Sequence, residues 1–94
     1  MSLPVVWSPK AYDKYLEFLA YWHKHSLSFA LKMDDGVEDL LKNLSQFKDL
    51  CPSSVKRPSF RKCVVMKRYS LIYRNDKDMI WIVDMLDNRK KHGY

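Results

Sequence analysis

The chain has 94 residues, a formal net charge of +6, 47% apolar and 14% aromatic content. That suffices for one domain with a single core and excludes a disordered tail. Neither a signal peptide nor a run of membrane-spanning length is read, and Met1-Ser2-Leu3 reads as a cloning remnant within one domain over 1–94.

Two cysteines, Cys51 and Cys63, and three scattered histidines, His23, His25 and His92, lack zinc-site spacing. No metal or cofactor is expected, and the default is a cytoplasmic protein with both thiols reduced, a disulfide between them being the alternative that the compartment argues against. Charge is uneven. Residues 1–55 hold six Lys against seven Asp or Glu, a net of −1; residues 56–94 hold eleven Lys or Arg against four Asp, a net of +7. All five arginines lie in that second part, where their planar forks suit carboxylate or phosphate. Such asymmetry points to nucleic acid or an acidic protein partner.

In chain order, "LPVVW" reads as a first strand. Ser8 then caps a helix with Pro9 at its first position, and Tyr12, Tyr15, Leu16, Leu19 and Trp22 form its apolar face. This helix is expected to fade over residues 23–26. A second helix is predicted from about 28 to 47, with Ala30, Met33, Val37, Leu40, Leu41, Leu44 and Phe47 at 3.6-residue period. Asp34, Asp35, Glu38 and Asp39 fall mostly on its other side. Gly36 inside it costs about 1 kcal/mol against alanine and either allows close packing or marks a kink.

After the structureless "KDLCPSSVKRP" the period changes to two. Residues 60–66, 69–74 and 79–86 read as strands, the last covered on both faces, with "NDKD" as a turn and "DNRKKHGY" as a basic tail over 87–94. The fold class is α+β, ordered β-α-α-β-β-β, with a helix hairpin packed on a small, mainly antiparallel sheet. Arg61, Arg68 and Arg74 are assigned to the open sheet face, as an electropositive wall or merely solvated; Arg68 alternatively belongs to a hairpin turn. Tyr69, Tyr73 and Trp81 have the spacing for stacking on bases, with core the favoured place for Tyr69 and Trp81.

The stretches "VVWSPKAYDKYLEFLAYW", "SLIYR" before a polar turn, the hydrophobic last strand and "LDNR" resemble the RelE/ParE toxin superfamily over residues 5–89. The resemblance implies a basic bacterial toxin of a type II toxin–antitoxin module, associated with growth inhibition and plasmid stabilization. Its partners would be a cognate antitoxin, in an oligomeric complex, and either DNA gyrase (ParE-like) or the ribosome and mRNA (RelE-like), without a membrane. A RelE-like mRNA interferase would be a metal-independent endoribonuclease with sheet cations, a late arginine and a C-terminal tyrosine. Arg61, Arg89 and Tyr94 match those roles, the arginines stabilising a phosphorane and the tyrosine assisting proton transfer. Cys63 stands where a second sheet cation is expected, and Ser70 where an arginine would grip the scissile phosphate. His92 and Tyr94 echo the terminal His-Tyr of some relatives. The resemblance therefore favours a ParE-like gyrase inhibitor, with the nuclease as alternative and Arg61, Arg68, Arg74, Arg89, Lys90 and Lys91 as the partner-binding or nucleic-acid-binding set.

Overall fold

The computed structural model describes residues 2–94. Its elements are β1 (Val5–Trp7), α1 (Pro9–His25), α2 (Leu27–Gln46), β2 (Arg61–Val65), β3 (Tyr69–Asn75) and β4 (Ile80–Asp87). The Ser8 hydroxyl accepts from the Ala11 N–H at 3.1 Å, and Pro9 sits where no N–H is needed. Ser26 ends α1 and caps α2, accepting from the Phe29 N–H at 3.3 Å. The first helix therefore does not fade; a single residue turns the chain into the second. His23, Lys24 and His25 occupy the last turn of α1, where cations suit the helix dipole.

The sheet order is β1-β4-β3-β2, with β1 parallel to β4 and the other pairings antiparallel. This is the expected α+β architecture. Ala11 and Tyr15 of α1 and Met33, Val37 and Leu44 of α2 cluster with Val65, Tyr69, Leu71, Tyr73, Ile80, Ile82 and Met85. Tyr12 and Leu16 are about half exposed and Phe47 is 60% exposed, so both apolar stripes are narrower than their periodicity suggests. Nothing lies within 4 Å of a Cβ built on Gly36, which is helical, so it does not serve close packing. Leu3 belongs to the fold: its N–H donates to Ser45 O at 2.8 Å and its carbonyl accepts from Ser45 Oγ at 2.7 Å. Met1 of the presumed remnant lies outside the described residues. Among the described residues, no helix is long and apolar enough to cross a membrane.

Two local irregularities decide which side chains face the helices. The β2–β3 turn holds Met66 and Lys67 at φ 56° and 61°, the left-handed region that tight hairpins use. It pairs Val65 with Tyr69, Cys63 with Leu71 and Arg61 with Tyr73. Since Tyr69, Leu71 and Tyr73 face the helices, so do Val65, Cys63 and Arg61, while Val64 is turned out and 63% exposed. Arg61 therefore does not lie on the outer face, contrary to expectation; a one-residue change of register would have put it there. In the β3–β4 ladder, Ile72 pairs with Asp84 and Tyr73 with Ile82, leaving Val83 as an extra residue. That bulge lets Ile82 and Met85 both point to the helices. Trp81 and Val83 are only partly buried, so β4 is not equally covered on both faces and Trp81 is not core.

The face away from the helices is not open. Ser70 and Ile72 are fully buried and Leu86 nearly so, although Ile72 and Leu86 stand outside the helix-side cluster. The tail covers this face. The Asn88 N–H donates to Arg68 O at 2.7 Å, and Ser70 Oγ donates to Asn88 Oδ1 at 2.6 Å. At its far end, His92 O accepts from Lys56 Nζ at 3.1 Å, and the Tyr94 ring meets the Phe60 ring at 5.7 Å and the Arg57 guanidinium at 5.1 Å. β4 ends beside Tyr69, whereas Phe60 leads into β2 beside Tyr73, at the other end of the sheet. The tail thus crosses the sheet diagonally.

Cys51 and Cys63 are joined in a disulfide with Cα atoms 5.4 Å apart, which corrects the expectation of reduced thiols. The register turns Cys63 toward the helices, and the connector over residues 47–60 brings Cys51 into the same cluster. Beyond Cys51 the connector pairs with the outer edge of β2: the Lys62 N–H donates to Pro52 O at 3.0 Å and Ser53 bridges to Arg61.

Candidate partner-binding site

β1 pairs only with residues 80–82, so the second half of β4 has a free edge along which α1 runs. Lys10 and Lys14 of α1 reach the buried Asp84 carboxylate at 3.3 and 2.9 Å. One turn further, Phe18 stacks on Tyr69 at 4.5 Å and Trp22 Nε1 donates to Tyr69 Oη at 2.8 Å. These contacts fix the corner where β4 ends and the tail begins.

At that corner Asp87 accepts from the Arg89 N–H at 3.0 Å, Arg89 Nε at 3.3 Å and Arg89 Nη2 at 3.1 Å, with Arg68 Nη2 at 3.7 Å. Burial pushes the Asp87 carboxyl up, but the Arg89 hydrogen bonds with the Arg89 and Arg68 charges hold it below the usual carboxylate range. Arg68 lies over the rings of Trp22, Tyr69 and Tyr21 at 5.0, 5.5 and 5.9 Å. Its Nε has no hydrogen-bond partner among the described residues. A groove of about 290 Å³ runs between Glu17, Tyr21, Arg68, Arg89 and Lys90. A second, of about 230 Å³, lies between α1 and the tail, bordered by Lys14, Phe18, Lys91 and His92.

The structure therefore gathers Arg68, Arg89, Lys90 and Lys91 at one corner. Arg68 belongs to the hairpin turn, the second of its two expected places. Arg61 and Arg74 are not part of this group. Arg61 Nη1 donates to Cys51 O at 2.6 Å and Nη2 pairs with Asp49 at 3.4 Å, on the helix side. Arg74 is exposed on the far face opposite Trp81. The expected single electropositive wall on the outer face does not form; the cations are divided between a corner, a helix-side edge and an isolated outer position.

Arg61, Arg89 and Tyr94 do not converge. Arg61 starts β2, Arg89 follows the end of β4 at the opposite end of the sheet, and Tyr94 packs on Phe60. Ser70 is sealed beneath Asn88. At His92, burial pushes the imidazole down, Lys62 and Lys56 act the same way, and Asp84 opposes them. Lys62, Ile72 and Asp84 are side by side across three strands. Sequence reasoning missed Asp84, whose one signal was a lone acid in an apolar run. It also missed Asn88, Phe60 and Arg57, which carry no signal because their partners are remote in sequence.

A corner with clustered guanidinium and ammonium groups beside aromatic rings suits carboxylates on a partner's surface. Residues 5–91 match the family model described as the ParE toxin of the type II toxin–antitoxin system, parDE. Among solved structures, the fold is similar to the chromosomal ParDE TA system from P. aeruginosa, with TM-score 0.74 and 17% identity, covering 92% of this chain and 96% of that one. It is also similar to the YoeB/ParE toxin from Agrobacterium tumefaciens, with TM-score 0.65, 13% identity and coverages of 90% and 98%. The YoeB dimer from Staphylococcus aureus gives TM-score 0.65, 19% identity and coverages of 98% and 99%. No curated protein sequence matches. Because the family match runs from the first strand into the tail, the chain belongs to the ParE toxin family of type II toxin–antitoxin systems.

Proposed function

We propose that the chain is a ParE-like toxin that arrests growth by binding an essential protein, DNA gyrase, and is neutralised by a cognate antitoxin in an oligomeric complex. The observation that carries this reading is the state of the sheet face on which RNA would have to be cut. Ser70 is buried there under the protein's own tail, and Arg61 is engaged on the other side. General acid–base cleavage needs a base, an acid and phosphate-binding cations around one accessible point. A noncatalytic toxin needs only a shaped surface. The Arg68, Arg89, Lys90 and Lys91 corner is the contact we assign to it, with an acidic antitoxin segment competing for the same cations.

The test is supercoiling by purified gyrase with increasing toxin, beside primer extension on mRNA after induction in cells. Inhibited supercoiling, weakened at least tenfold by a charge-removing Arg89→Ala and Lys90→Ala pair, is the expected result. Full gyrase activity at saturating toxin, together with new codon-linked cuts that disappear in Arg89→Ala, would replace this reading with the endoribonuclease.

A further inference from the structure

The disulfide and the tail are coupled through one segment. Cys51 sits on the helix side of the sheet, where it packs in the core cluster with Cys63. From there the connector pairs with the outer edge of β2 at residues 52–54 and continues to Phe60. Among the described residues, the hydrogen-bond and ring contacts that hold the end of the tail to the rest of the chain come from this stretch: Lys56 to His92, Arg57 over Tyr94, and Phe60 against Tyr94. The tail's other bonds lie at its root, around residues 87–90. The polar ties of the connector to Arg61, Tyr73 and Asn75 all end at residues 48–51, upstream of the part that touches the tail. Cys51 itself is held by the disulfide together with its bonds to Arg61 and Tyr73. Downstream of it the connector is held by backbone bonds at residues 52–54 and by the Arg57 N–H bond to Ser54 Oγ.

We propose that the Cys51–Cys63 disulfide is a redox-controlled clasp: oxidised, it keeps the connector positioned to latch the tail across the sheet, and reduced, it lets the tail leave and uncovers the far face. The reductant is a dithiol. Its thiolate attacks the sulfur of Cys51, the less buried of the two, forming a mixed disulfide and releasing Cys63 as a thiolate. The second thiol of the reductant then displaces Cys51, so the reductant leaves as a disulfide. Two electrons pass to the protein and both cysteines take up a proton. The uncovered face presents Ile72, Leu86 and Ser70, with Lys62 and Arg74 on one border and the Asp84 carboxylate on the other. This inference does not depend on which target the toxin binds.

Hydrogen exchange of the full chain, read by mass spectrometry, tests the proposal. The states are oxidised, reduced with dithiothreitol, and reoxidised, with a mass gain of two hydrogens confirming reduction. Protection of the amides in residues 88–94 should fall by roughly tenfold on reduction and return on reoxidation, with α1, α2, β3 and β4 unchanged. Oxidised Tyr94→Ala should show the same tail exchange as the reduced wild type, and so should the Cys51→Ser, Cys63→Ser double variant. If that double variant does not fold, the reversible reduction of the wild type decides alone. Equal tail exchange in the oxidised and reduced states overturns the clasp. So does a loss of protection in the core strands together with the tail, because the disulfide would then merely sustain the whole fold.

Discussion

Tyr15 joins the two helices, and its hydroxyl makes a measurable prediction. The ring is nearly buried and stacks on Trp7 at 5.2 Å, while the hydroxyl donates to Asp34 Oδ1 at 2.5 Å. Tyr15→Phe keeps the ring and removes a bond to a charged acceptor, which is worth about 1.5–3 kcal/mol. Asp34 is partly exposed and can recover water, so the lower half of that range is expected at pH 7. Burial pushes the Tyr15 phenol well above its usual range, and the bond to Asp34 and the nearby carboxylates push it further. A folded-state pKa above the unfolded one gives stability that is complete below about pH 10 and lost as pH rises beyond it. Each such group contributes a slope of about 1.4 kcal/mol per pH unit. Tyr73 is raised as well, chiefly by burial, so the wild type has two such groups and Tyr15→Phe has one. Urea unfolding at pH 7, 9, 10 and 11.5 should therefore show a gap between the proteins that is constant to pH 9–10. It should then shrink by about 2 kcal/mol at pH 11.5. A gap that stays constant across that range, or one below about 0.5 kcal/mol at pH 7, would refute the reasoning.

Gly36→Ala should raise stability by about 0.5–1 kcal/mol, since the position is helical and no atom opposes a Cβ; an unchanged or lower Tm in thermal unfolding would contradict this. Asp87 has a depressed pKa in the folded state, so its contribution is present above about pH 4 and lost as pH falls through the folded value. Asp87→Asn should accordingly flatten the acid limb of the stability–pH curve; an unchanged limb would show that the Arg68 and Arg89 pairings do not couple to folding.

The order of elements, both helix starts and the helix hairpin were legible in the chain because they rest on local physics. A Ser-Pro cap, a 3.6-residue apolar period and its change to two need only near neighbours, and they led to the right architecture; the family came from the resemblance carried by "VVWSPKAYDKYLEFLAYW", "SLIYR" and "LDNR". Which side of each strand faces the helices was not legible. A left-handed turn at Met66-Lys67 and a one-residue bulge at Val83 set that, and each reverses strand faces without altering composition or period. Hence Arg61 and Cys63 turned inward, Val64 outward, and the arginines read as one wall were divided among separate places. The tail's return across the sheet and the union of Cys51 with Cys63 likewise depend on partners brought together only by the completed fold. Periodicity records how a residue relates to its neighbours in sequence, whereas register, docking and cross-linking are settled by free energies summed over residues far apart in the chain.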